Sequence, residues 1–191
     1  MRTQINEACF QQFPKLESKR LYYRAFEPSD APQMLAIRSN AQVMRYMDTT
    51  PFKSEEEALQ MIQRIQQKFQ EQKGINWVLM EKNSQAFIGY FGFWRIQQAH
   101  CRGEIGYALL PDFWARGYMK EAMNTLIRFG FDQLWLHSIE ANVNPANQRS
   151  IRLLERTGFV KEAYYRENYL YNNQFLDSVI YGLLERDLTN A

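Results

Sequence analysis

Apolar residues recur at helix spacing through Met119, Ala122, Met123, Leu126, Ile127, Gly130 and Leu134. The stretch just before them, Glu104 to Leu110, has the pattern of a strand. Pro111 cannot donate to a sheet ladder, so the strand ends there, and the chain re-enters helix near Gly117. The same reading extends to the rest of the chain. Arg20 to Phe26 alternates as a first strand, Pro28-Ser29-Asp30 starts a short helix running to about Asn40, and residues 41 to 53 form a loop. Ser54 and Glu57 make a capping box for a helix with an apolar stripe at Ala58, Met61, Ile62, Ile65 and Phe69, stopped by Gly74. Ile75 to Glu81, the turn Lys82 to Gln85, and Ala86 to Gln97 form a hairpin that continues through Gln98 to Arg102 into the strand at 104. Gly89 and Gly92 mark a bend or a close backbone approach within it.

Beyond the helix of residues 117 to 134, Ser138 to Val143 is a strand. Because it returns through a helix, it lies parallel to the strand at 104. A cap-rich turn, Asn144 to Asn147, leads into a helix to about Arg156 that stops at Gly158. Phe159 to Arg166 and Phe175 to Leu184 close the chain as two more strands. The pattern predicts one α/β domain over residues 19–191, with a mixed, mostly antiparallel sheet of about seven strands and flanking helices. Residues 1–18 are weakly periodic and form an arm, packed on the domain or on a second copy in a homodimer.

The strand-turn-helix junction carries the first chemical signal. The first amides of a helix lack internal partners, and the aligned peptide dipoles favour an anion there. A glycine-containing turn delivered by a strand onto such an end predicts an anionic, pyrophosphate-bearing ligand at Ala115, Arg116, Gly117 and Tyr118.

Composition narrows the function classes. The 191 residues suffice for one domain with a sizeable core, and 15% aromatic residues place some of them on surfaces or along a groove. A net charge of +2, from 23 basic and 21 acidic side chains, gives no general drive toward nucleic acid or an anionic membrane. No apolar run approaches the roughly 20 residues of a membrane span, and residues 1 to 20 lack the apolar core of a signal peptide, so a cytoplasmic protein is expected. Cys9 and Cys101 suit neither a metal site nor a disulfide framework. His137 and Ser138 are adjacent on a strand and point to opposite faces, and no G-x-S-x-G elbow is present, which argues against a serine hydrolase.

Two linked blocks, EIGYALLPDFWARGYMKEA and NPANQRSIRLLERTGF, stand in the right structural order to resemble the GNAT N-acetyltransferases. Within that superfamily the chain resembles the branch of ribosomal-protein alanine and serine N-acetyltransferases. Arg20 to Arg24 on the first strand, and Asp177 with Tyr181 on the last, also fit that branch. The resemblance covers roughly residues 19 to 188. It implies acetyl-CoA as co-substrate, a sheet splayed between the fourth and fifth strands, and transfer to a primary amine, either a protein N-terminus or a small molecule. The family's pyrophosphate pattern, Gln/Arg-x-x-Gly-x-Gly/Ala, falls here on Trp114, Gly117 and Met119, so Met119 departs from it.

By the same resemblance, the pantetheine arm lies beside Ala108, Leu109 and Leu110, with Asn142, Asn147 and Arg149 as further cofactor contacts. Asn147 is equally suited to be a helix N-cap. Arg116 either adds charge to a phosphate or is a solvated turn residue. Acetyl transfer needs a base for the amine, donors for the oxyanion and a proton or hydrogen bond for the leaving thiolate. Glu104 is the first candidate base, against the alternative of a cross-strand pair with Arg102 or Arg95. Glu140, Asp48 and Glu55 rank behind it. Many GNAT members place a tyrosine where this chain has Leu154, which cannot donate. The branch instead implies Ser150, one helical turn earlier, whose other use is a bond back to backbone. Tyr164, Tyr165, Tyr169 and Tyr171 border the acceptor site as rim or packing residues. Two alternatives remain open: transfer of another acyl group, or a CoA-binding module without turnover.

Overall fold

A computed structural model describes residues 2–190. Its centre is one eight-stranded sheet in the order β1-β2-β3-β4-β5-β6-β8-β7. The strands are β1 Leu16–Glu17, β2 Leu21–Arg24, β3 Ile75–Glu81, β4 Phe87–Gln97, β5 Arg102–Leu109, β6 Ser138–Val143, β7 Val160–Tyr171 and β8 Gln174–Leu184. The strand not anticipated is β1, a two-residue piece of the N-terminal segment paired to Tyr22 and Tyr23. Residues 41–53 are not entirely loop. Asn40 accepts from the amides of Gln42 and Val43 and starts the short helix α2, Ala41–Met44, after α1, Ala31–Arg38.

Every strand pair is antiparallel except β5 with β6. That parallel pairing spans only Arg102↔Ser138, Gly103↔Ile139 and Glu104↔Glu140. Beyond it β5 stays with β4 as far as Leu109↔Gly89, while β6 stays with β8 as far as Val143↔Val179. Two strands held by different partners diverge, so the sheet opens into a wedge. The Leu110 amide donates to Ile88 on the β4 side at 2.9 Å. Alternation along the strand therefore turns the peptide groups of Leu109 and Tyr107 toward the gap. The close approach anticipated at Gly89 is real: a Cβ there would lie 2.1 Å from the Ala108 carbonyl oxygen.

Each sheet face has its own core. On one face Met119, Ala122, Met123, Leu126 and Ile127 of α4 (Tyr118–Arg128) and Leu154 of α5 (Gln148–Arg156) pack against Phe91, Ile105, Leu109 and Ile139. On the other, Met34, Ile37, Ala58 and Ile62 of α1 and α3 (Glu55–Gln70) cover Val78, Tyr90 and Ala108. The helix expected over 117–134 changes character at its end. α4 passes into a π-helical turn, Phe129–Gln133. The N-terminal segment lies over this turn: Asn6 donates to the carbonyls of Leu134 and Gln133 at 3.0 and 2.9 Å, and Ile5 and Phe10 are buried in the α4-side core. Trp77 Nε1 also donates to Pro14. This segment packs on its own chain.

Candidate active site

The turn before α4 leaves the first helical amides without side-chain partners. Ala115 and Gly117 both lie in the left-handed region, at φ +59° and +78°. Gly117 is the residue before the helix, and no side chain caps the first amides. Such a turn presents successive N–H groups into one concavity. Met119, the departure from the family pattern, points its side chain into the α4 core, where it is buried, and does not stand over the turn.

The turn is clamped by the segment that leads into β2. Arg20 donates from Nη1 to the Arg116 carbonyl at 2.8 Å, and its guanidinium lies 4.2 Å from the Tyr118 ring centre. Glu121 holds the arginine in place. It accepts from Arg20 Nε at 2.7 Å, from the Arg20 amide at 2.6 Å and from Ser18 Oγ at 2.7 Å. Burial would raise the Glu121 carboxyl, but the Ser18 and Arg20 hydrogen bonds outweigh it and hold the group below the ordinary range. Arg116 is exposed and leans toward Phe113.

Trp114 joins the turn to the wedge. Its indole donates to the Leu109 carbonyl at 2.8 Å, which leaves the Leu109 amide as the open group of that peptide edge. Arg149, on α5 across the wedge, stacks its guanidinium 5.2 Å from the Trp114 ring centre. The two linked sequence blocks therefore meet at the mouth of the gap.

The candidate base and the candidate acid lie on opposite sides of the sheet: Glu104 and Tyr107 are three residues apart on β5 and so face opposite ways, and Ser150 of α5 lies on the Tyr107 side. Glu104 shares a face with Gly106 and Ala108, on the α1 and α3 side. It is 7% exposed, and Arg95, its cross-strand partner, places Nη2 2.6 Å from Oε2. This is the pairing weighed as the alternative role. The contact is one of charge, off the hydrogen-bond axis, so the buried Oε2 has no aligned donor. Burial raises the Glu104 carboxyl, Arg95 opposes, and Glu140 adds a like charge. Glu140 is itself engaged by Arg102 at 3.2 Å. Asn142 is exposed two residues further along β6, on that same face, since Ile139, Ala141 and Val143 fill the other core.

On the α4 and α5 face, Ser150 Oγ meets the Tyr107 hydroxyl at 2.7 Å. Asn147 caps α5, its Oδ1 accepting from the Ser150 amide at 3.2 Å, so that oxygen serves the helix. Nothing local along the chain singles out Tyr107 or Glu121. Each acts through a partner far along the chain, and only the two arginine-flanked ends of the first strand hinted at a role for Arg20.

A second cluster joins the β7 hairpin to the loop after α2. Tyr169 on β7 donates to Asp48, which also accepts from Asn144 Nδ2 at 3.2 Å. Burial, then the bond to the Asp48 carboxylate, raises the Tyr169 phenol. Asp48 thus sits with the β7 hairpin, apart from the Glu104 network. Among the described residues no group of His, Cys, Asp and Glu could hold a metal ion, and no helix is long and apolar enough to cross a membrane.

A sheet splayed between two parallel strands, with an uncapped turn at the end of one of them, is the architecture of the GNAT acetyltransferases. The chain belongs to that family: the Acetyltransferase (GNAT) domain matches residues 20–160. The protein is an acetyltransferase. It is 35% identical over 173 residues to the uncharacterized N-acetyltransferase YoaA of Bacillus subtilis, covering 91% of this chain and 98% of that one. Its fold superposes on a GNAT-family acetyltransferase from Bacillus anthracis with a TM-score of 0.81 at 26% identity, covering 91% of this chain and 99% of the other. A TM-score of 0.82 at 20% identity, over 90% of this chain and 98% of the other, relates it to RimL, a ribosomal L7/L12 alpha-N-protein acetyltransferase solved with coenzyme A.

Proposed function

We propose that the protein moves an acetyl group from acetyl-CoA to a primary amine by direct attack in a ternary complex. The observation that carries this reading is the wedge itself, with the open Leu109 amide on one wall, the uncapped turn Ala115–Gly117 at its end and Ser150 on the other wall. RimL, solved with coenzyme A, supports the donor. Gly117, Tyr118 and Met119 offer backbone amides to the pyrophosphate, with Arg116 and Arg149 as positive charges beside it. Ala108, Leu109 and Leu110 line the pantetheine arm, and Asn142 and Asn147 stand at its far wall. Asn147 has only its Nδ2 left to donate.

The amine nitrogen attacks the thioester carbonyl carbon while its proton passes to Glu104, directly or through water. The Leu109 amide donates to the oxyanion. The C–S bond then breaks, and Ser150 donates a hydrogen bond to the departing thiolate. The acceptor is a protein N-terminus or a small amine, and it enters from the α1 and α3 face, where Glu104 lies. Two free thiols fit a reducing, cytoplasmic setting.

A panel of N-terminal peptides and small amines with acetyl-CoA, followed by free thiol, tests the reading. Turnover is expected with at least one class of acceptor, and it falls at least about tenfold in Glu104→Gln or Ser150→Ala with CoA affinity kept. Tight acetyl-CoA binding with no acetylated product anywhere on the panel would overturn it, as would faster turnover with a larger acyl-CoA.

A further inference from the structure

We propose that Tyr107 is a positioning residue for the leaving-group end of the site: its hydroxyl donates to Ser150 Oγ and so frees the serine's own hydrogen for the acyl donor's sulfur. The inference rests on the role proposed above for Ser150. The 2.7 Å contact is a bond across the wedge. Tyr107 stands on β5, three residues past the last parallel pair at Glu104↔Glu140, and Ser150 stands in the first turn of α5 on the opposite wall. The peptide edge of Tyr107 and Leu109 opens into that same gap.

The direction of the bond follows from chemistry. A phenol, ordinarily near pKa 10, is a far stronger acid than an aliphatic hydroxyl, so the phenol is the donor of the pair. Ser150 then accepts through oxygen and keeps a hydrogen to give. Tyr107 cannot swing to another partner, because its ring lies flat on Phe91, with centroids 5.6 Å apart and planes 6° from parallel. Burial pushes its phenol up to about 12, against the Ser150 bond. A thiol titrates near 8.5. The leaving thiolate therefore does not strip the phenol, and Tyr107 keeps its proton throughout. It polarises and aims the serine, as one hydroxyl in a chain strengthens the next.

The test uses the full chain and coenzyme A, and needs no acceptor for its main readout. The ultraviolet absorbance of the thiolate, titrated against pH in the CoA complex, reports the pKa of the bound thiol. Ser150→Ala is expected to raise that pKa by about one unit relative to wild type, the effect of losing one hydrogen bond to a charged group. Tyr107→Phe, which keeps the ring on Phe91, raises it by about half as much and leaves CoA affinity unchanged. The double variant matches Ser150→Ala alone, because the tyrosine acts only through the serine. With the best amine of the panel, Tyr107→Phe lowers kcat about three- to tenfold at unchanged KM for acetyl-CoA. If Ser150→Ala shifts the thiol pKa and Tyr107→Phe does not, the serine acts alone and the inference falls. If the double variant is worse than Ser150→Ala, or Tyr107→Phe loses CoA, the tyrosine has a different role and the inference again falls. If Ser150→Ala shifts nothing, the serine's role falls first and takes this inference with it.

Discussion

Glu104 occupies a place where a carboxylate is costly: buried, beside a second carboxylate, and matched by an arginine that is itself half in solvent. Its proton affinity is set by a contest, which burial wins over Arg95. A raised pKa suits a base better than the ordinary glutamate value of about 4.3. The sign follows directly. The ionised form is the active one, so activity falls as pH drops through the raised value. In kcat/KM against pH, wild type is expected to show an acid limb displaced upward from 4.3, and Glu104→Gln is expected to lose that limb together with at least about tenfold of rate. A limb unchanged in Glu104→Gln would hand the proton to water or another carboxylate. Arg95→Ala moves the limb further up, since it removes the positive charge that opposes burial at Glu104.

Among the elements, the turn before α4 depends on a segment that precedes it by almost a hundred residues. Ser18 and Arg20, just before β2, bond Glu121 in the first turn of α4, and Arg20 reaches on to the Arg116 carbonyl. Glu121 has a folded pKa below its unfolded one. Its contribution to stability is therefore fully present above about pH 4.3 and is lost as pH falls through the lower folded value. Glu121→Gln is expected to cost about 1–3 kcal/mol at pH 7, read by urea unfolding, and to weaken CoA binding. The deficit against wild type shrinks in acid. The β7 hairpin does comparable work on the loop after α2. Asp177 accepts from the Glu167 amide at 2.8 Å and from Tyr164, fixing a bulge between Tyr165 and Tyr169. The bulge brings Tyr169 to Asp48. Tyr169→Phe is expected to release the loop of residues 45–53, seen as faster amide exchange there, and to raise KM for the amine more than for acetyl-CoA.

The whole molecule is two cores on one sheet, and the N-terminal segment belongs to one of them. Phe10 is buried with Phe69 at 5.4 Å, and Asn6 satisfies the carbonyls of Gln133 and Leu134 at the end of the π-helical turn, which like any helix end leaves carbonyls without internal partners. Phe10→Ala is expected to cost about 3–5 kcal/mol in urea unfolding, as for a core aromatic rather than a solvent-exposed arm. Much of this fold was readable along the chain. The period of 2 in the meander, the helix stripe at Ala58 to Phe69, the capping box at Ser54 and the stop at Pro111 are local signals, set by backbone sterics and by which face is buried. The turn at Ala115 to Tyr118 was readable for the same reason, because an uncapped helix start after a strand is a local arrangement. The register of β5 on β4 was not readable, and it puts Arg95 rather than Arg102 against Glu104. Nor were the bulge that carries Tyr169 to Asp48, the clamp of Arg20 on the turn, or the meeting of Tyr107 with Ser150. Most of the elements and the chemistry of their ends follow from the sequence, since those depend on neighbours a few residues apart; the two-residue β1, the short α2 and the π-helical turn do not. Only the tertiary structure decided which side chains from distant segments share a few ångströms of space, because hydrogen bonds, burial and charge act through distance in the fold and not along the chain.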